Sequence, residues 1–106
     1  MVVGYALVGQ ALPLASHAHV LELRGLAVDP ARQLCGAGRR LVEASVEQAR
    51  GQGARKLALR VLGSNVRARR LYESCGFLVE GVLQAEFFLG GRYIADVLMA
   101  RDLIAD

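Results

Sequence analysis

The feature that most limits how this chain can fold is a glycine-bearing turn, Gln33-Leu34-Cys35-Gly36-Ala37-Gly38, set between two different hydrophobic periodicities. Before it, residues 19–28 alternate weakly. Val20, Glu22 and Arg24 fall on one face, and Leu21, Leu23 and Gly25 on the other, which reads as a strand. Asp29-Pro30 ends that strand, because proline lacks the amide hydrogen that a central strand needs. After the turn, Leu41, Ala44, Ser45, Gln48 and Ala49 recur at helical spacing with Val42 and Val46 beside them. This predicts a helix over residues 37–52, closed by Gly51 and Gly53. Residues 57–62 form an apolar run of strand length. Strand, crossover helix and strand make a βαβ unit, whose strands lie parallel with a right-handed connection.

The flanking segments extend that unit. Residues 2–8 are apolar and partly β-branched, a strand, and Pro13, Ser16 and His17 mark residues 10–18 as a loop. Gly63-Ser64-Asn65 predicts a turn and a helix N-cap, then a short helix over residues 66–75 that Gly76 stops. Residues 77–89 and 92–103 read as two strands joined by Gly90-Gly91, a hairpin signal. The expected fold is α+β (mixed α/β), one mixed sheet in the order β-β-α-β-α-β-β. The 106 residues suit a single domain spanning 1–106, and 54% apolar with 22% charged residues fits a globular chain.

Charge narrows the partners. The net charge is +3, and every cation but Lys56 is an arginine. Arginine offers a planar fork of donors to phosphate, so a phosphate-bearing ligand fits. Nucleic acid does not, because aromatic interleaving and helix-turn-helix or zinc signatures are missing. Cys35 and Cys75 have no metal-ligand or Cys-x-x-Cys spacing, so no metal is expected and both read as free thiols of a reducing compartment. No apolar run reaches the ~18 residues of a membrane span, and the start lacks a basic signal-peptide region. The expected location is the cytoplasm.

The turn itself suggests anion binding. A helix N-terminus leaves its first amides unpaired and carries partial positive charge. Gly36 and Gly38 allow close backbone approach, which together suits a phosphate or diphosphate, with Arg32, Arg39 and Arg40 beside it. The Gly-Lys-Ser/Thr of a Walker loop is absent, and Leu41 occupies the place of the third glycine in a dinucleotide fingerprint.

A second segment sharpens the reading. Val28-Asp29-Pro30 with Gln33-Leu34-Cys35-Gly36-Ala37-Gly38, followed by Asn65-Val66-Arg67-Ala68-Arg69-Arg70-Leu71-Tyr72-Glu73-Ser74-Cys75-Gly76-Phe77, resembles the two signature motifs of the GNAT acetyltransferases. The resemblance covers about residues 2–103. Leu34 departs from it, standing where many relatives carry glycine.

The resemblance implies a co-substrate, acetyl-CoA, held in a splay between the strand ending at Val28 and the strand 57–62. Backbone groups of Leu26, Ala27 and Val28 would pair with the pantetheine arm. Amides of Gln33, Leu34, Cys35, Gly36, Ala37, Gly38 and Arg39 would hold the diphosphate, and Asn65 would lie near the lower part of the cofactor. Tyr72 would stand near the thioester sulfur as general acid. Glu22 resembles the base carboxylate of some members. The implied activity is direct acetyl transfer to a primary amine, whether a small amine, an amino acid, an antibiotic or a protein amino group. The hairpin 87–93 and Asp96 would border the acceptor. Cys35 and Cys75 are then not nucleophiles, since this transfer needs no acyl-enzyme.

Plainer roles stand beside these. Tyr72 also reads as a core tyrosine, Glu22 as an ion-pair partner of Arg24, and His17 and His19 as surface polar residues. The family's usual N-terminal strand, two helices and next strand have no counterpart before residue 2. The expectations are therefore an N-terminally shortened domain, a fragment or a late start, with exposed apolar surface that favours a homodimer or higher homo-oligomer. The alternative function is a non-catalytic acyl-CoA-binding or protein-interaction module.

Overall fold

The computed structural model describes residues 4–10, 12–28 and 36–104. In chain order it contains β1 (Gly4–Gln10), a 3-10 turn (Ala15–His17), β2 (Val20–Val28), α1 (Ala37–Gly51), β3 (Lys56–Leu62), α2 (Val66–Ser74), β4 (Leu78–Leu89) and β5 (Arg92–Asp102). The strands form one mixed sheet in the order β1-β2-β3-β5-β4. Only β2 and β3 run parallel; the other neighbours are antiparallel. This is the expected α+β architecture.

One face of the sheet carries the core. Leu21 and Leu23 of β2, Leu57, Leu59 and Val61 of β3, and Val97 and Met99 of β5 pack with Val42, Val46 and Ala49 of α1 and with Tyr72, Cys75 and Phe77. Phe77 is fully buried. The buried stripe of α1 is Val42, Ser45, Val46 and Ala49. Ala44 and Gln48 were expected on it and are exposed instead, with Leu41 half-buried. The branched residues set the stripe, and an alanine loses little by facing water. Ser45 is tolerated inside because its hydroxyl donates to the Leu41 carbonyl at 2.8 Å. On the other face of β3 and β5, Arg60 reaches Asp96 at 2.7 Å, which compensates a carboxylate that is only 3% exposed.

Local signals fix the remaining elements. Asn65 caps α2, accepting from the Ala68 amide at 3.1 Å, and Arg101 donates to the Cys75 carbonyl at 2.7 Å at the other end. Gly90 and Gly91 both have positive φ, 57° and 78°, the requirement of a tight two-residue hairpin turn. A bulge that was not expected interrupts β4. Leu83 faces Asp96 and Phe87 faces Ile94, so three residues oppose one, with Ala85 at φ 54°.

Two outcomes follow for stability. Asn65→Ala removes the cap and is expected to cost about 1 kcal/mol, lowering Tm by about 4–8 °C in a thermal melt. Phe77→Ala, at the centre of the core, is expected to cost about 3–5 kcal/mol, readable from denaturant titration.

Candidate active site

β2 and β3 pair for only three residues. Val20, Leu21 and Glu22 face Lys56, Leu57 and Ala58, and then the strands part. Beyond this fork β2 stays paired with β1 as far as Val28, and β3 stays paired with β5 as far as Leu62. The cause of the parting is local. Leu7 faces Gly25 while Val8 faces Leu23, so Arg24 is an extra residue in β2. A bulge of this kind bends its strand and interrupts pairing. It falls two residues past Glu22, the last residue of β2 paired to β3. The result is an open wedge between two central strands, each with a row of backbone groups on its inner edge.

The carboxyl end of β2 leads towards the start of α1. Gly36 is the N-cap, with φ 76°, and no side chain caps the helix there. The first intrahelical bond runs from the Arg40 amide to the Gly36 carbonyl at 3.1 Å. The amides of Ala37, Gly38 and Arg39 precede it, so they have no partner within the helix. The first turn holds no acidic residue and two arginines, an arrangement that opposes the helix dipole unless an anion binds. The Arg39 side chain is not aimed at such an anion. Its Nη1 and Nη2 lie 3.4 and 3.2 Å from the Ser74 carbonyl, tying the start of α1 to the end of α2. The Arg39 guanidinium is therefore engaged within the protein, while its amide has no partner within the helix. Gln33, Leu34, Cys35 and Arg32 lie outside the described residues. For Leu26, Ala27 and Val28 the strand backbone is described, and it lines the wedge.

Tyr72 is 8% exposed and belongs to the same buried cluster as Leu23 and Leu59, the first residues past the fork on each strand. Its ring meets Phe77 edge-on at 6.0 Å. Burial, with a smaller contribution from Cys75, pushes its phenol above the ordinary value, so it holds its proton at neutral pH. Glu22 stands at the fork itself. Its Oε1 accepts from Arg24 Nε at 3.0 Å, and Arg24 also donates to the Gln10 carbonyl, so this ion pair secures the bulge. Asn65 marks the start of α2, with its side-chain oxygen used in the cap. His17 and His19 sit before the amino end of β2, while the wedge opens towards its carboxyl end. Cys75 is buried. Asp96 is spoken for by Arg60. Sequence reading missed the bulge, because nothing in Leu-Arg-Gly distinguishes it from regular strand.

A wedge in a sheet beside an uncapped helix start fits an extended amide-bearing arm that ends in a diphosphate. A sequence model of the Acetyltransferase (GNAT) family matches residues 2–77. The chain belongs to this family. Similar GNAT proteins include the mycothiol acetyltransferase of Beutenbergia cavernae, 43% identical over 56 residues, which are 53% of this chain and 19% of that protein. The ribosomal protein bS18-alanine N-acetyltransferase of Haemophilus ducreyi is 44% identical over 55 residues, 52% of this chain and 38% of that one. Among solved structures, yncA from Salmonella typhimurium, determined with its cofactor acetyl-CoA, superposes with a TM-score of 0.90 at 26% identity. It covers 100% of this chain, which spans 61% of its own. The chain thus spans less than two fifths of these sequence relatives and about three fifths of the solved one.

In this GNAT-family chain the raised Tyr72 phenol makes stability depend on pH. Folding binds the Tyr72 proton more tightly than the unfolded chain does. That contribution is complete below the unfolded value of about 10 and is lost as pH rises through the higher folded value. In an ultraviolet phenolate titration, Tyr72 is expected to ionise late, above the ordinary phenol value. Tyr72→Phe should abolish the late step and flatten the alkaline loss of stability.

Proposed function

We propose that this domain transfers an acetyl group from acetyl-CoA to a primary amine by direct attack in a ternary complex. The observation that carries the reading is the wedge past Glu22 and Ala58, opening next to an uncapped helix start. In this reading the backbone of Leu26, Ala27 and Val28 pairs with the pantetheine arm as an added strand would. Amides of Gly36, Ala37, Gly38 and Arg39 grip the diphosphate, with the preceding Gln33, Leu34 and Cys35. Asn65 flanks the arm from the start of α2.

The chemistry follows from those positions. A strand amide near Leu26 or Ala27 stabilises the oxyanion that forms when the amine attacks the thioester carbonyl. The new C–N bond forms, the C–S bond breaks, and Tyr72 gives its proton to the departing thiolate. The attacking ammonium must first lose a proton, since a lysine-like amine has a pKa of about 10.4. Glu22 at the fork collects it through water, and the second proton lost by the amide nitrogen restores the phenol. The acceptor class is that of the relatives, whose names include a protein alanine and mycothiol. Exposed apolar residues along β4, among them Leu78, Val79 and Val82, support self-association. The alternative, a domain that holds acyl-CoA without turnover, is favoured by one observation: the Glu22 carboxylate is already engaged by Arg24.

Calorimetry separates the parts of this reading. Acetyl-CoA is expected to bind at least about tenfold tighter than acetyl-pantetheine, which lacks the diphosphate; equal affinities would remove the anion grip at α1. In a free-thiol assay over an amine panel, Tyr72→Phe is expected to lower kcat by about 10² with little change in KM for acetyl-CoA. Binding without turnover for any amine would favour the non-catalytic domain. An activity indifferent to the substitution would leave Tyr72 as a core residue.

A further inference from the structure

Between the start of α2 and the β4–β5 hairpin lies a cleft of about 560 Å³. It is on the helix-covered side of the sheet, and none of its lining residues belongs to the wedge. Its lining includes two guanidiniums, Arg69 and Arg92, and no carboxylate. The ion pairs among the described residues engage Arg24, Arg50, Lys56 and Arg60 instead. Arg69 Nη1 donates to the Gly63 carbonyl at 3.3 Å, but its Nε is buried without an acceptor. Neither Arg69 nor Arg92 is in those ion pairs, so no carboxylate of the described residues balances their charge at the cleft.

The rest of the cleft is apolar in a directed way. Val82 and Val97 face each other across β4 and β5 and form its floor. At the rim stands Tyr93, 72% exposed yet held edge-on against Phe88 at 5.0 Å. A fixed and largely bare aromatic ring is a surface for an apolar group to cover.

We propose that this cleft binds an organic carboxylate, with its head between Arg69 and Arg92 and an apolar body lying over Val82 and Val97 against Tyr93. A carboxylate carries enough lone pairs to accept from both guanidiniums. A phosphate shares the head chemistry, and coenzyme A carries one on its ribose. The apolar floor and ring favour the carboxylate, because a solvated ribose phosphate has nothing to place there. The site is independent of the acetyl-transfer reading.

The test is amide NMR on the full chain without acetyl-CoA, adding N-acetyl-leucine and, separately, N-acetyl-leucinamide. The acid is expected to give saturable shifts at Gly63, Ser64 and Ala95, and the amide to bind at least about tenfold more weakly. Arg92→Gln, in the exposed hairpin, is expected to reproduce that loss with the remaining spectrum unchanged. The comparison of acid and amide uses the parent chain, so it stands even if the variant does not fold. Equal responses to acid and amide, or no saturation by the acid, would overturn the proposal. So would shifts at these amides that coenzyme A elicits and 3′-dephospho-coenzyme A does not, which would assign the cleft to the nucleotide phosphate. Failure of acetyl-CoA to bind in the wedge leaves these outcomes untouched, so the two readings fail separately.

Discussion

The proposed transferase site depends on two central strands that stop pairing. A backbone amide or carbonyl inside a sheet normally finds its partner on the neighbouring strand. Past Glu22 and Ala58, β2 and β3 no longer supply each other's partners, although each remains bonded on its outer side. A sheet usually keeps such edges at its rim, short or covered. Here they lie in the middle, open to water or to a ligand with its own alternating donors and acceptors. An extended, amide-bearing arm matches such edges, which is what the proposed reading uses.

The opening is held, not merely left. The extra residue Arg24 turns β2 away, and its guanidinium is fixed by Glu22 and by the Gln10 carbonyl. Below the wedge, Leu21, Leu57 and Phe77 keep the two strands joined to one core. Arg39 ties the start of α1 to the end of α2. Polar contacts at the bulge and apolar packing below the fork thus act together on the opening. Glu22 consequently has a structural duty at the position where the family resemblance puts a base, and the two duties compete for one carboxylate.

Much of this was legible in the sequence, for identifiable reasons. The order of elements could be read because Gly36, Gly76 and Gly90-Gly91 mark real changes of backbone direction, and because the Asn65 cap is a short-range event. The buried stripe of α1 was only half legible. Alanine at 44 carries the same apolar label as alanine at 49, and only tertiary packing decides between them. The wedge was implied by resemblance alone, since strand lengths say nothing about where pairing ends. The bulges at Arg24 and Ala85 left no trace, because neither residue type announces an irregular strand. The Arg69–Arg92 cleft joins residues from α2 and the hairpin that are far apart in sequence, so no local pattern points to it.

The position of Tyr72 shows why a core residue and a proton donor need not be alternatives. Its burial against Phe77 is the same physical fact that raises its phenol and keeps it neutral. Burial also makes the phenol a weaker acid than an exposed one, so in the proposed reaction its proton leaves only as the thiolate develops. Tyr72 shares its buried cluster with Leu23 and Leu59, the first residues beyond the fork. The α2 helix thus contributes Tyr72 through its buried side, while its Arg69 and the turn before it line the cleft.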